Sequence, residues 1–472
     1  MNKPVTPDLV TRFTKIVGPR YAITDAHDQD AYLVEGRGLY KGKTPVVLRP
    51  GSVDEVSAIM KLAFESGTPV VPQGGNTGLV GGGVPFESGD EIVLSLTRLD
   101  KIRDLDPLSN AMTCEAGVIL ANAQAAAADA DRLFPLSLGA QGSCTIGGNL
   151  STNAGGTGAL AYGVARDLVL GIEVVLADGR VMRGLNKLKK DNTGYDLRHL
   201  FIGAEGTLGV ITAAVLKLFP KPKAVETAII GLPSPQAALA LFNLARERAG
   251  GAITGFELMP RIGLDFLFDH MNGFRDPMAT RHPWYVLAEF SSQKSEGLRD
   301  TMESILAEGV EQGLVVDAVI ASNLEQAKYF WSMREMLPEA QKPVGGSIKH
   351  DISVPVATVP DFIEEAIAAV VAFLPGSRPV AFGHLGDGNV HFNVSQPEGA
   401  DKDEFIAGWH AMNEVVHAIT AKYGGSISAE HGIGRLKRDL LPSVKDPVAM
   451  DLMRTLKRTL DPKNILNPGK VV

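Results

Sequence analysis

Pro69-Val70-Val71-Pro72-Gln73-Gly74-Gly75-Asn76-Thr77-Gly78 passes from a short apolar run directly into a glycine loop, and Gly81-Gly82-Gly83 follows after two more residues. A phosphate held by main chain needs N–H groups that are exposed and close, which glycine permits because it has no Cβ. Asn76 and Thr77 can add side-chain donors. The spacing is neither G-x-G-x-x-G nor G-x-x-x-x-G-K-[ST], so a nicotinamide-type dinucleotide fold and a P-loop nucleotide hydrolase are both disfavoured. A single loop of this kind is equally explained as a tight turn, so its surroundings decide.

Outward from the loop the pattern is regular. Upstream, Pro45-Val46-Val47-Leu48 reads as a buried strand. Ser52 with Glu55 three residues on is a capping box that starts a helix. Val56, Ile59, Met60 and Ala63 repeat at helical spacing, and Gly67 ends the helix. This is a βαβ-like unit. Downstream, strands are expected at 92–96, 111–115, 172–177 and 210–218, with Asp178-Gly179 as a hairpin signal. Between them lies a second tract, Gly142-Ser143-Cys144-Thr145-Ile146-Gly147-Gly148-Asn149 and Thr152-Asn153-Ala154-Gly155-Gly156. It sets small residues and amides over a long extended path. A packed core does not need this; a large flat cofactor lying on main chain does. After Pro220-Lys221-Pro222 the texture changes to strand–helix–strand units, an α+β pattern with the strands on one open sheet.

The bulk numbers agree with a globular chain. With 472 residues, 45% hydrophobic and 21% charged, several domains and ordinary cores are expected. A net charge of -8 provides no excess of cations for phosphate backbones, so nucleic acid is not an expected partner. No run of 18 apolar residues suggests a membrane span. Cys114 and Cys144 are too few for a disulfide framework. Met1 to Thr6 shows neither an apolar leader core nor transit-peptide composition, so the expected location is cytoplasmic.

The loop at Gly74, the tract 142–156, the segment Gly203-Ala204-Glu205-Gly206-Thr207-Leu208-Gly209 and the terminal Asn467-Pro468-Gly469-Lys470 occur in an order that resembles the vanillyl-alcohol-oxidase-type FAD-binding family. From about residue 40 to 472 the chain resembles its D-2-hydroxyglutarate/D-lactate dehydrogenase branch. The resemblance implies an α+β fold. A two-subdomain FAD-binding domain would occupy 1–221, and a substrate/cap domain with an open antiparallel sheet 222–424. A segment at 425–472 would complete the active site and pack back on the FAD domain. It also implies that the pyrophosphate lies on Gly74, Gly75, Asn76, Thr77 and Gly78, flanked by Pro72 and Leu79. The flavin ring would follow Ser143, Thr145, Gly147, Gly148, Asn153, Ala154 and Gly155. Glu205, Gly206, Ile211 and Asn467 would complete the FAD envelope. Members that attach FAD covalently usually have a histidine in the first loop. Residues 72–83 contain none, so non-covalent FAD is expected.

The sharpest local chemistry is Gly383-His384-Leu385-Gly386-Asp387-Gly388-Asn389-Val390-His391-Phe392-Asn393. If Asp387-Gly388 is a two-residue hairpin turn, His384 opposes His391, with Asn393 on the same face. Val390, Phe392 and Val394 then face a core. Two opposed imidazoles could share one divalent ion, and Ala429-Glu430-His431-Gly432 offers a carboxylate and a base together. On its own, a histidine pair on a hairpin is as readily structural as functional. The resemblance implies His384, His391 and Glu430 as zinc-type ligands, His431 as catalytic base and Asn393 as a substrate contact. The chemistry would be oxidation of a D-2-hydroxy acid, with proton transfer to His431 and hydride transfer to flavin N5.

Arg334, expected on a helix, and Lys349, expected on a strand, read most simply as solvated charges. In the hydroxyglutarate branch an Arg and a Lys at matching positions hold the distal carboxylate, which favours a dicarboxylate such as D-2-hydroxyglutarate or D-malate. That branch has a threonine one turn after the Arg. Here it is Pro338, which leaves chain length open. Alternatives are a D-lactate or glycolate dehydrogenase, a metal-dependent hydrolase built on His384, His391 and Glu430, and a module that only holds FAD. The electron acceptor could be an electron-transfer flavoprotein, a quinone or a cytochrome, and the resemblance implies a homodimer.

Overall fold

The computed structural model describes residues 5–472, so Met1 to Pro4 of the stretch read for a leader lie outside the described residues. Two compact units are present. The first gathers residues 5–156, 163–221 and 430–472, and the second 157–162 and 222–429.

The first unit contains two sheets. In the four-stranded sheet, Val47–Leu48, Ile92–Ser95 and Val70–Gln73 run parallel, with Ala22–Ile23 antiparallel at the edge. The helix Val53–Ser66 is the βαβ crossover. Ser52 Oγ accepts from Glu55 N at 3.2 Å, while Glu55 reaches back to Gly51 N rather than to Ser52 itself. Gly67 closes the helix in a left-handed conformation, φ 73°. The other edge is extended by the C-terminal tail. Val70 N donates to Ile465 O at 2.7 Å, and Asn467 N donates to Val70 O at 2.8 Å. The second sheet is five-stranded and antiparallel, ordered Ile102–Asp106, Ala111–Glu115, Val210–Lys217, Val169–Val175, Val181–Gly184.

One expectation for this unit is corrected. The tract 142–156 is not extended throughout. Thr145 takes a β conformation and caps a short helix, Ile146–Ser151, its Oγ1 accepting from Gly148 N. Ile146, Asn149 and Leu150 of this six-residue helix are buried, and Gly147 packs closely on Ala116.

The second unit is built on one seven-stranded antiparallel sheet. Its order is Asp317–Ile320, Ala224–Leu232, Trp284–Ser292, Ile253–Pro260, Arg378–His384, Asn389–Ser395, Ser347–Ser353. One face packs on the helices Pro235–Ala249, Leu298–Glu311 and Val359–Phe373 through Phe256, Leu258, Val390, Phe392 and Val394, all buried. The opposite face is divided. Ile229, Leu287, Tyr285, Val380 and Phe382 pack beneath the helices Arg261–His270 and Leu324–Glu335. The half towards Ser347–Ser353 is polar.

Candidate functional site

In the first unit a cavity of about 450 Å³ runs between the glycine loop and the small-residue tract. Its wall includes Pro72, Gly74, Gly75, Asn76, Thr77, Gly78, Leu79, Thr145, Gly147, Gly148, Ala154, Gly155, Glu205, Gly206 and Ile211. Glu430 and His431 also line it. The loop and the tract touch closely: a Cβ at Gly74 would land on Thr145 Oγ1, and one at Gly75 on Ser143 O. No side chain fits at these two contacts, so the main chain of the loop packs directly on the tract.

Some expected contacts are braces in this structure. Ser143 is exposed and absent from the cavity wall. Asn153 Oδ1 accepts from Arg166 N at 3.0 Å. Asn467 is buried, with Nδ2 donating to Gly82 O and Glu205 O at 2.9 and 2.8 Å. Asn76 lines the cavity, but its Nδ2 donates to Val34 O at 2.8 Å and Ala31 O at 3.2 Å, so its amide anchors the loop.

Glu205 has a positive φ of 50° and is 8% exposed. Its two carboxylate oxygens accept from Ile433 N at 2.7 Å and Gly434 N at 2.8 Å, fastening the segment just after His431. Burial pushes its carboxyl up to about 7, against the lowering effect of those two donors. Glu430 lies against Gly155, where a Cβ would meet its Oε1.

The second unit gathers the remaining candidates by register. Lys349 opposes Asn393, Asp351 opposes His391, and His391 opposes Phe382. His384 opposes Asn389 on one side and Glu257 on the other. All of these side chains share one sheet face. The hairpin therefore differs from the expected register: its loop is 385–388, not the pair Asp387-Gly388. Leu385 enters the core and its N donates to Phe256 O in the neighbouring strand, which draws it out of the ladder. His384 and His391 are diagonal rather than opposed, with ring centroids 5.6 Å apart and a ring nitrogen of each within 4.8 Å of the other.

Arg334 reaches this face from the helix Leu324–Glu335. Its Nε donates to Glu257 at 2.9 Å, and its guanidinium lies 4.8 Å from the Phe382 ring centre. Glu257 also pairs with His384 Nδ1 at 2.7 Å. Burial would raise the Glu257 carboxyl, but the charges of His384 and Arg334 outweigh it and hold it at about 2. Asn389 Nδ2 donates to Asp351 at 3.1 Å. Glu257 and Asp351 are functional candidates that sequence reading missed. The available signal was a lone carboxylate in a strand, Ile253–Pro260, with no other charged residue. Pro338 sits in the first turn of a new helix, Leu337–Ala340, so the helix bearing Arg334 ends at Glu335.

Two families match the chain: FAD binding domain over residues 44–184, and FAD linked oxidases, C-terminal domain, over residues 221–471. The mitochondrial D-2-hydroxyglutarate dehydrogenase of Arabidopsis thaliana is 38% identical over 463 residues, covering 98% of this chain and 81% of that protein. The chain belongs to the FAD-dependent D-2-hydroxyglutarate/D-lactate dehydrogenase family, a family of oxidoreductases. A mitochondrial protein of Schizosaccharomyces pombe assigned as a D-lactate dehydrogenase is 36% identical over 458 residues, covering 95% of this chain and 86% of that one. Among solved structures, p-cresol methylhydroxylase with substrate bound shares the fold at TM-score 0.78 and 18% identity, covering 98% of this chain and 96% of that one. The vanillyl-alcohol-oxidase-type fold read from the glycine tracts is thus present, and the FAD-binding domain makes this family member a flavoprotein. The expectation of a cytoplasmic location is overturned, because both of these relatives are named as mitochondrial. Among the described residues no helix is long and apolar enough to cross a membrane.

Proposed function

We propose that this family member oxidises a D-2-hydroxy dicarboxylic acid, D-2-hydroxyglutarate or a close homologue such as D-malate, to the 2-oxo acid. The observation that carries this reading is the shared sheet face on which Lys349, Asn393, His391 and His384 converge with Arg334. It combines cations for a distal carboxylate with imidazoles suited to a metal. The name of the Arabidopsis thaliana relative points to the same acid.

The roles follow from the residue chemistry. Arg334 and Lys349 hold the distal carboxylate, and Asn393 hydrogen-bonds near the reacting carbon. His384, His391 and Glu430 supply two imidazoles and a carboxylate, a donor set that fits zinc or a similar divalent ion. Such an ion, when bound, lowers the pKa of the substrate hydroxyl. His431, in the wall of the flavin cavity, takes the hydroxyl proton. FAD, held non-covalently on the Gly74–Gly78 loop and the 145–155 tract, supplies the acceptor for the hydrogen and electron pair leaving Cα. The FAD domain is read as 1–221, the substrate domain as 222–424 and the completing segment as 425–472.

The test is anaerobic mixing of the purified flavoprotein with D-2-hydroxyglutarate, D-malate, D-lactate and glycolate, following the flavin absorption band. Bleaching by a D-dicarboxylate, abolished by a chelator, is the expected result. Bleaching by D-lactate alone would keep the chemistry and remove the role of Arg334 and Lys349. A protein that no acid bleaches would overturn the proposal.

A further inference from the structure

The strand Ile253–Pro260 is buried at all eight positions, and Glu257 is its only charged residue, 1% exposed. An isolated buried carboxylate is costly, and a packed apolar residue is commonly as stabilising as a buried ion pair. Stability alone therefore does not account for a glutamate here. Its two oxygens go to two different side chains. Oε1 faces His384 Nδ1 at 2.7 Å, and Oε2 accepts from Arg334 Nε at 2.9 Å. These are the side chains assigned above to opposite ends of the substrate, one to the metal and one to the distal carboxylate.

We propose that Glu257 is a positioning residue that sets the separation and orientation of these two poles, and so helps select the length of the acid that spans them. The proposal rests on the functional reading above. A carboxylate at Nδ1 keeps the His384 proton on that nitrogen and turns the Nε2 lone pair outward as the metal-binding atom. A carboxylate at Nε of Arg334 leaves the two-pronged Nη edge as the one that can meet a second carboxylate bidentately. The Phe382 ring beneath the guanidinium restricts its tilt. Both partners thus meet one side chain on one central strand of the sheet.

The test uses the full-length flavoprotein and reads metal retention after dialysis against a chelator. It also reads kcat and KM for D-2-hydroxyglutarate and for D-lactate, which lacks the distal carboxylate. Flavin content and thermal midpoint report folding. A glutamine offers one acceptor and one donor, so Glu257→Gln cannot serve both partners. We expect zinc affinity to fall by ~10–100-fold. KM for the dicarboxylate should rise by about tenfold or more and the preference over D-lactate should shrink, as for loss of one oriented charged contact. Flavin content should hold. Glu257→Asp keeps the charge but is one methylene shorter; it should recover much of the zinc affinity while the dicarboxylate preference stays reduced. A Glu257→Gln protein with lowered thermal midpoint but wild-type zinc affinity and preference would overturn the proposal, because that is what a purely structural role gives. If Glu257→Gln does not fold, the aspartate variant decides, and wild-type preference in it overturns the proposal. The functional reading fails separately, in the unsubstituted protein, if that protein retains no metal and no D-2-hydroxy acid bleaches its flavin.

Discussion

Glu205 shows how much one side chain can carry. It stands in the wall of the first unit's cavity with a left-handed backbone, and it ties down the turn after His431 through Ile433 N and Gly434 N. The segment Gly203–Gly209 was read as a cofactor element and lines the cavity, but the use of the Glu205 carboxylate was not legible, because its partners lie 228 and 229 residues away. Glu257 was hidden for the same reason, with partners 77 and 127 residues distant. Burial holds the Glu205 carboxyl at about 7, above its ordinary 4.5. Between those values the folded chain keeps a proton that the unfolded chain has lost. Its contribution to stability is therefore full below pH 4.5 and declines as pH rises through 7. In the FAD-free protein, wild type should lose on the order of 3 kcal/mol relative to Glu205→Gln across this window. Urea denaturation of both proteins at several pH values measures it. The constant offset from the amide's poorer hydrogen bonding does not matter; a difference independent of pH would sink the idea.

At the scale of elements, periodicity was informative and turn counting was not. The alternation Val390, Phe392, Val394 inward and His391, Asn393 outward was readable and is observed. The hairpin loop was read as two residues and has four, because Leu385 leaves the ladder for the core. The error moved the pairing by two residues, and a strand repeats every two, so His384 and His391 still share a face. The short helix in the glycine tract was missed because glycine weakens every local helix signal, while the Thr145 cap and the buried Ile146 and Leu150 support it. The four-residue loop makes a prediction about Gly388. Its φ is 85°, and a Cβ there would land on Val354 O. Gly399 has a similar φ of 74° with nothing within 4 Å. Gly399→Ala should cost about 1 kcal/mol from the left-handed conformation alone. Gly388→Ala should cost at least about 2–3 kcal/mol, since backbone must also move. Denaturant melts of the two variants give the comparison, and equal costs would show that the Val354 contact does not matter.

At the scale of the whole chain, two compact units with separate cores make ligand linkage a local test. The cavity proposed to hold the flavin is lined entirely by residues of the first unit, whereas Trp284, Trp331 and Trp409, the chain's 3 tryptophans, all belong to the second. Tryptophan emission therefore reports the second unit, and release of flavin fluorescence reports the first. A ligand that binds only folded protein stabilises it by about 2.7 kcal/mol at one hundred times its dissociation constant. For a unit of this size that corresponds to a rise of roughly 5–10 °C in midpoint. Excess FAD should move the flavin-release midpoint by about this amount, and a heating scan with both signals measures it. If the tryptophan midpoint rises equally, the two units unfold as one cooperative system and the stabilisation is shared. If it lags, the units melt separately and FAD acts only where its cavity lies. If neither moves, FAD is not held on the Gly74–Gly78 loop and the 145–155 tract in the folded chain, and the assignment of that cavity fails whatever the chemistry of the histidine face.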